Sequence, residues 1–365
     1  MPASPLKVLL IAPSLDIVGG QAVQADRLLR ALRAQPGLHV DFLPFNARLP
    51  RPVSDIPFVR TVLRLLVYIP RLAGRVPRCD VLHVFTAAYW SYNLWTLPAL
   101  FFAKLYRRKI VVNYRDGQAE DHVRNWPAAL PTLRRMDAIV SPSGFLVDVF
   151  ARYGLQGRSI YNIIDMGNFH YRKRNRLRPR FLHNRGLEPL YNVPCTLRAF
   201  QLIQQRYPEA ELTIAHDGPL RAGLEALARS LGLRNCRFVG KVPQRDMAAL
   251  YDAADIYLTS PDIDCMPGSL LECYASGLPV VATRAGGIPY IAVHEETALL
   301  VPCGDHTALA EASLRLLEDP ELGERITAAA YRYCQTFSAG EIGRQWAELY
   351  RELTGRAPTG TTSPS

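Results

Sequence analysis

Two short apolar, β-branched runs, Ile256–Thr259 and Pro279–Thr283, constrain this chain more than any other feature. Each has the length of one buried strand. Between them lie a polar loop and a helix-like segment, Ser269–Ser276, closed by Gly277 with Pro279 as a stop just beyond. Strand, loop, helix and strand in that order form a βαβ unit, which requires parallel pairing in a sheet covered by helices. Ligands of such units meet the loop that leaves the first strand and the helix start it feeds. Here that loop holds Asp262, Asp264, Pro267, Gly268 and Ser269, and Glu272 is placed in the first turn of the helix. The backbone amides of Gly268, Ser269 and Leu270 suit a phosphate, and the small residues let a ligand approach the backbone.

Asp264 and Glu272, eight positions apart, suit a ligand with two diols bridged by a diphosphate. Asp264 would grip a sugar near the phosphates and Glu272 a ribose deeper in the crevice. A second reading stands beside it: Asp264 caps the helix and Glu272 complements its dipole.

The residues around these carboxylates carry a resemblance. Glu272 is followed by Ala275-Ser276-Gly277-Leu278-Pro279-Val280-Val281-Ala282-Thr283 and then by Gly286-Gly287-Ile288-Pro289. This is similar to the donor-binding signature of the retaining GT-B glycosyltransferases of family 4 (glycosyl transferases group 1), in which seven residues separate two acids. Asp264 stands where a Glu is commoner, followed by Cys265-Met266-Pro267 in place of Gly-Phe-Gly. The resemblance implies an α/β fold of two Rossmann-like domains facing across a cleft, with a C-terminal helix crossing back to the first domain. It also implies a nucleotide-sugar donor, UDP- or GDP-linked, no bound cofactor and a hydroxyl acceptor.

The chain's 365 residues, 48% hydrophobic and 21% charged, suffice for two domains. The expected division is 1–168 and 169–338, with the helix at about 340–354 returning to the first domain and 355–365 a disordered tail. The N-terminal apolar run reads as a first strand, not a signal peptide, and no window has the length of a membrane span. Seven cysteines without a CxxC pair point to reduced thiols in a cytoplasmic protein rather than to disulfides or zinc. The excess positive charge lies in the N-terminal half: 21 Lys+Arg against 11 Asp+Glu through Asp165, then 22 against 22. In the segment Pro57–Val76, Val59, Val62, Leu63, Leu66, Ile69, Ala73 and Val76 share one helical face, and Arg60, Arg64, Arg71 and Arg75 cluster on the other. A basic amphipathic helix of this kind can lie on an anionic membrane surface, peripheral on its inner face; it can equally pack on the core and show its arginines to solvent. No nucleic-acid motif accompanies the charge, and no nucleic-acid partner is expected.

Taken in order, Lys7–Pro13 is a strand leading to Gly19-Gly20 before a helix, a pair that can admit a diphosphate or form a tight turn. The loop lacks GxGxxG, against a dinucleotide enzyme. A buried strand, Val81–Phe85, carries His83, and the strand Ile110–Tyr114 ends in Arg115-Asp116-Gly117 with His122 close behind. Many family members have His where Arg115 stands, so Arg115, Asp116 and His122 are the acceptor-side candidates. Tyr171–Arg185 reads as an arginine-rich crossing between domains. Arg185 matches a family Arg aimed at the donor diphosphate; the Lys five residues on is Leu190 here, and Lys241 is a candidate substitute. His216-Asp217-Gly218-Pro219 is similar to the family's Gly-x-Gly-Pro loop, making Gly218 a donor-side candidate. The resemblance implies front-face attack with the leaving phosphate taking the acceptor's proton. Asp262-Ile263-Asp264 spells DxD, but no metal is expected in a βαβ unit of this type. A nucleotide-sugar epimerase and a silent nucleotide-sugar-binding protein are the alternative readings.

Overall fold

The computed structural model describes residues 4–16, 20–46 and 56–356; Gly19 lies outside them. The chain divides into two units, one of residues 1–163 with 339–365 and the other of residues 164–338.

The first unit holds a six-stranded parallel sheet: β1 (Leu6–Ala12), β2 (Leu38–Pro44), β3 (Val81–Thr86), β4 (Lys109–Tyr114), β5 (Ala138–Ser141) and β6 (Gly157–Ser159), in the order β2-β1-β3-β4-β5-β6. Helices cover both faces of a parallel sheet, so central strands such as Val81–Thr86 are buried at every residue. The order reverses between β1 and β3, which puts the ligand crevice at their C-terminal ends. The last helix, Ala339–Thr354, belongs to this unit and packs on the helix Gly20–Arg33. Gly343 admits that approach, since a Cβ there would sit 3.1 Å from the Ala31 carbonyl oxygen. Trp346 and Tyr350 are buried beside His83, whose Nδ1 is hydrogen-bonded to the Tyr350 hydroxyl and whose Nε2 meets the Asn113 amide at 3.1 Å. Burial pushes the His83 imidazole well below its usual range, so it is a neutral core residue.

The helix Pro57–Arg75 corrects the sequence reading of its faces. Tyr68, Leu72 and Val76 are buried, the Tyr68 hydroxyl donating to the Trp95 carbonyl at 2.9 Å while its ring meets the Trp95 indole edge-on. Of the apolar row read from the sequence, only Val76 is buried in the core, while Val59, Val62, Leu66 and Ile69 are exposed, with Phe58 beside them. Apolar residues occupy more than half of this helix's circumference, and the anchoring of Tyr68 on Trp95 decides which part meets the core. Among the described residues no helix is long and apolar enough to cross a membrane.

The second unit repeats the plan with β7 (Arg180–His183), β8 (Glu211–Ile214), β9 (Cys236–Phe238), β10 (Ile256–Thr259), β11 (Val280–Thr283) and β12 (Leu299–Val301), in the order β12-β11-β10-β7-β8-β9. Its order reverses between β10 and β7. The arginine-rich stretch read as a crossing is part of this unit's packing. Arg172 and Arg178 pair with buried Asp255 at 2.8 and 2.9 Å, and the buried Arg174 guanidinium donates to the Tyr251, Ser276 and Gly277 carbonyls, each at 2.7 Å.

Candidate functional site

The switch point of the second sheet gathers the donor-side candidates. Arg185 follows β7 and Asp264 follows β10, and these two strands are neighbours running the same way. Adjacent parallel strands deliver their following loops to the same edge, so residues 79 positions apart meet. The Arg185 guanidinium donates to Asp264 Oδ2, with both side chains largely buried. Beneath it the Tyr191 ring lies 4.5 Å from the guanidinium carbon, a cation–π contact that holds its plane. Burial pushes the Asp264 carboxyl up from the usual carboxylate range, while Arg185 and the Cys265 and Met266 amides pull it back. The sequence reading aims Arg185 at a diphosphate and Asp264 at a sugar; in the structure each is the other's partner.

The helix beside them spans Gly268–Ala275, with Pro267 at its N-cap and no side-chain cap. The capping role considered for Asp264 is therefore not realised. Glu272 lies in the second turn rather than the first, beyond the short reach of the dipole's charged end. The Leu270 amide already donates to the Pro267 carbonyl at 3.2 Å. The Gly268 and Ser269 amides are those that helix geometry leaves over. A Cβ on Gly268 would meet nothing within 4 Å, so protein packing does not require glycine there.

Glu272 anchors a second cluster. Its buried carboxylate accepts from the Tyr251 hydroxyl at 2.7 Å and from Gln244 Nε2 at 3.1 Å. Asn184 Nδ2 donates to the same Tyr251 oxygen at 2.7 Å, and its Oδ1 accepts from the Tyr257 hydroxyl at 2.7 Å. The Tyr257 oxygen is also 3.0 Å from Ser269 Oγ. Burial, then the Glu272 charge, holds the Tyr251 hydroxyl protonated far above its ordinary range. The chain Ser269–Tyr257–Asn184–Tyr251–Glu272 thus ties the Arg185 loop to the helix. Of these partners, Asn184, Tyr191, Gln244, Tyr251 and Tyr257 were not singled out from sequence. Asn184 alone had a local signal, its place beside Arg185 at a strand end.

Two glycines hold the surrounding loops in contact. Gly286 has φ +49°, and a Cβ there would overlap the Asp264 carbonyl oxygen, which accepts the Gly287 amide at 2.7 Å. Gly218 packs on the loop after Arg185, where a Cβ would stand 2.5 Å from the Leu187 carbonyl oxygen. His216 donates Nδ1–H to the Asp217 carbonyl at 2.8 Å. Lys241 is exposed on the loop after β9 and is not joined to these clusters by any hydrogen bond or ion pair among the described residues.

In the first unit, Gly20 is exposed as the first residue of its helix. Arg115 donates to Asn162 Oδ1 and, at 3.4 Å, to Asn113 Oδ1, with its guanidinium carbon 4.8 Å from the Phe85 ring centroid. The Asp116 carboxylate accepts the Ala88 and Gln118 amides, both at 3.0 Å, and so joins the loops after β3 and β4. His122 is fully buried among Tyr89, Tyr92, Tyr114 and Trp126, with Nδ1 2.7 Å from the Tyr114 hydroxyl. Burial lowers its pKa to about 4 despite nearby Asp116 and Asp121, leaving it neutral at pH 7. An enclosed ring of this kind does not meet an acceptor directly.

Comparisons with known proteins bear on the family and the fold. A family described as Glycosyltransferase Family 4 matches residues 18–168, and one described as Glycosyl transferases group 1 matches residues 172–333. The chain is 32% identical over 173 residues to the lipopolysaccharide core biosynthesis glycosyltransferase LpsD of Rhizobium meliloti, covering 47% of each chain. It is 35% identical over 224 residues to the D-rhamnosyltransferase WbpZ of Pseudomonas aeruginosa, covering 57% of each. The chain thus spans about half the length of these curated relatives. The fold resembles that of Anabaena Alr3699/HepE, solved in complex with UDP-glucose: TM-score 0.73 and 17% identity over 95% of this chain and 100% of that one.

Proposed function

The chain belongs to the group 1 glycosyl transferases, and on that premise we propose that it moves a hexosyl group from a UDP- or GDP-sugar to a hydroxyl of a lipid-linked or polysaccharide precursor, with retention at the anomeric carbon. The observation that carries this reading is the meeting of Arg185, Asp264 and the Glu272 cluster at one switch point beside a helix start. An arriving diphosphate competes with Asp264 for the guanidinium, whose planar fork suits phosphate oxygens. That exchange frees the Asp264 carboxylate for the sugar hydroxyls, and Glu272 takes the ribose. As the C1–O bond to the diphosphate breaks, Arg185 and the Gly268 and Ser269 amides take up the developing charge. The acceptor oxygen bonds to C1 on the same face and its proton passes to the departing phosphate, so no protein base and no metal take part.

The direct test is incubation with radiolabelled UDP- and GDP-sugars, with and without a membrane lipid extract, in EDTA and in manganese. Label moving into an acceptor in EDTA supports the proposal. Dependence on manganese would revive the DxD reading of Asp262 and Asp264, and release of an epimerised free sugar without acceptor would indicate the epimerase. Within the site, Glu272→Gln is expected to weaken UDP or GDP binding by about 1–3 kcal/mol, since an amide exchanges a charged acceptor for a neutral one. Asp264→Asn should reduce turnover more than nucleotide affinity. Calorimetric titration of both variants checks this, and equal losses of nucleotide affinity would end the division of roles.

A membrane-surface acceptor is supported by the basic first half and by the outward row Phe58, Val59, Val62, Leu66 and Ile69 on a helix that also exposes Arg71 and Arg75. The role in lipopolysaccharide core biosynthesis named for LpsD points the same way. Arginines near an anionic leaflet contribute about 1 kcal/mol each, and apolar side chains add insertion that salt does not screen. The protein is expected to sediment with anionic vesicles, partly retained at 1 M salt where the Debye length is ~3 Å. Phe58→Asp with Leu66→Asp should remove the salt-resistant fraction, and Arg60, Arg64, Arg71 and Arg75→Glu the salt-sensitive one. Equal sedimentation of these variants and the parent protein would sink the assignment to this helix.

A further inference from the structure

We propose that Trp90 is an aromatic platform for the acceptor and that the acceptor therefore presents a pyranose ring, an inference that rests on the glycosyl-transfer reading above. The reversal of strand order between β1 and β3 directs ligands of the first unit to the C-terminal ends of those strands. The chain leaving β3 runs through Ala87 and Ala88 into Tyr89 and Trp90. Tyr89 has φ +57°, a left-handed conformation that strains a bulky residue and that persists only where surrounding contacts hold it. Those contacts are visible: the Tyr89 hydroxyl donates to the Asp121 carboxylate, and its ring meets His122 at 5.4 Å and Trp126 at 5.8 Å, edge-on to both. Trp90 is braced by the same stack, its ring 5.6 Å from that of Trp126 at an interplanar angle of 79°. It is nevertheless 67% exposed.

An indole left largely exposed just beyond a strand end is not filling the core, and a braced one loses little freedom when a ligand stacks on it. Its π face is negative and attracts the polarised C–H bonds of a sugar ring, which a polyol chain or a small dicarboxylate presents less well. Two carboxylates are tied to the same chain segment and can accept sugar hydroxyls. Asp116 holds the Ala88 amide two residues before Trp90, and Asp121 is held by Tyr89 one residue before. His122, fully buried behind the stack, supports the Tyr89 and Trp126 rings and does not itself reach a ligand. Platform, carboxylates and the candidate Arg115 all follow two neighbouring strands, β3 and β4.

Saturation-transfer NMR and tryptophan emission on the full chain test this, with methyl α- and β-pyranosides of glucose, galactose, mannose, rhamnose and N-acetylglucosamine as probes. Glycerol and malate serve as acyclic comparators and UDP as the donor-side control. At least one pyranoside is expected to receive saturation through the C–H bonds of one ring face and to shift the emission. Trp90→Ala should weaken that binding about 10-fold, the scale of one lost stacking contact, with unfolding temperature and UDP affinity unchanged. Pyranosides that bind the variant as well as the parent protein, or UDP binding with no pyranoside binding at all, would overturn the platform. Failure of UDP to bind, with pyranosides still bound through Trp90, would instead remove the donor reading and leave the platform standing.

Discussion

Arg185→Ala is expected to abolish detectable transfer and to lower stability by about 3–5 kcal/mol, the cost of removing one partner from a buried ion pair. The two side chains are only 18% and 7% exposed, so solvent screens the pair weakly. Without the guanidinium, Asp264 must either bury an unpaired charge or take up a proton, and its carboxyl is already pushed upward by burial. The double variant Arg185→Ala with Asp264→Ala removes both charges and should regain most of the stability, because only the unpaired carboxylate is costly. It should regain no transfer, since the donor diphosphate has lost its cation. Urea unfolding midpoints at constant slope separate the two effects. An unchanged midpoint in the single variant would show that the pair contributes nothing to folding, and transfer surviving in either variant would remove Arg185 from the diphosphate.

Gly286→Ala should be comparably severe through a different route. At φ +49° a side chain costs ~1–2 kcal/mol, and the added carbon overlaps the Asp264 carbonyl, which overpacking data put at ~1–3 kcal/mol more. The two cannot relax independently, because that carbonyl is held by the Gly287 amide. The loop bearing Asp264 must shift, so donor affinity is expected to fall together with the unfolding midpoint. Gly268→Ala is the control: its Cβ meets nothing in the protein, so stability should hold while any loss in donor affinity reports ligand contact. A Gly286→Ala variant with parental stability would show that the loop is soft and the glycine incidental.

Much of the fold was legible because it is written in local patterns. Runs such as Leu6–Ala12 and Val280–Thr283 are apolar at nearly every position, and only strands covered on both faces need that. Gly277 at a helix end does adopt the left-handed conformation that a C-terminal glycine signals, with φ +62°. The helix Pro57–Arg75 was legible as a helix but not in its orientation. Periodicity finds an apolar arc, yet when that arc exceeds half the circumference the choice of buried side falls to a distant partner, here Trp95. The candidate site divides in the same way. Asp264, Glu272 and Gly268 stand out by spacing within one βαβ unit, whereas Tyr251, Tyr257 and Asn184 have no pattern linking them.

The sequence by itself determined the two α/β halves, the family and the loop on which donor chemistry is proposed, because these rest on residues within one strand–helix–strand length of each other. Tertiary structure alone decided that Arg185 and Asp264 neutralise each other, that Glu272 is held by a tyrosine from another helix, and that Trp90 stands outward on a braced stack. Each of these is a contact between chain segments brought together by parallel strand order, and strand order is set by the packing of the whole sheet rather than by any one segment of it.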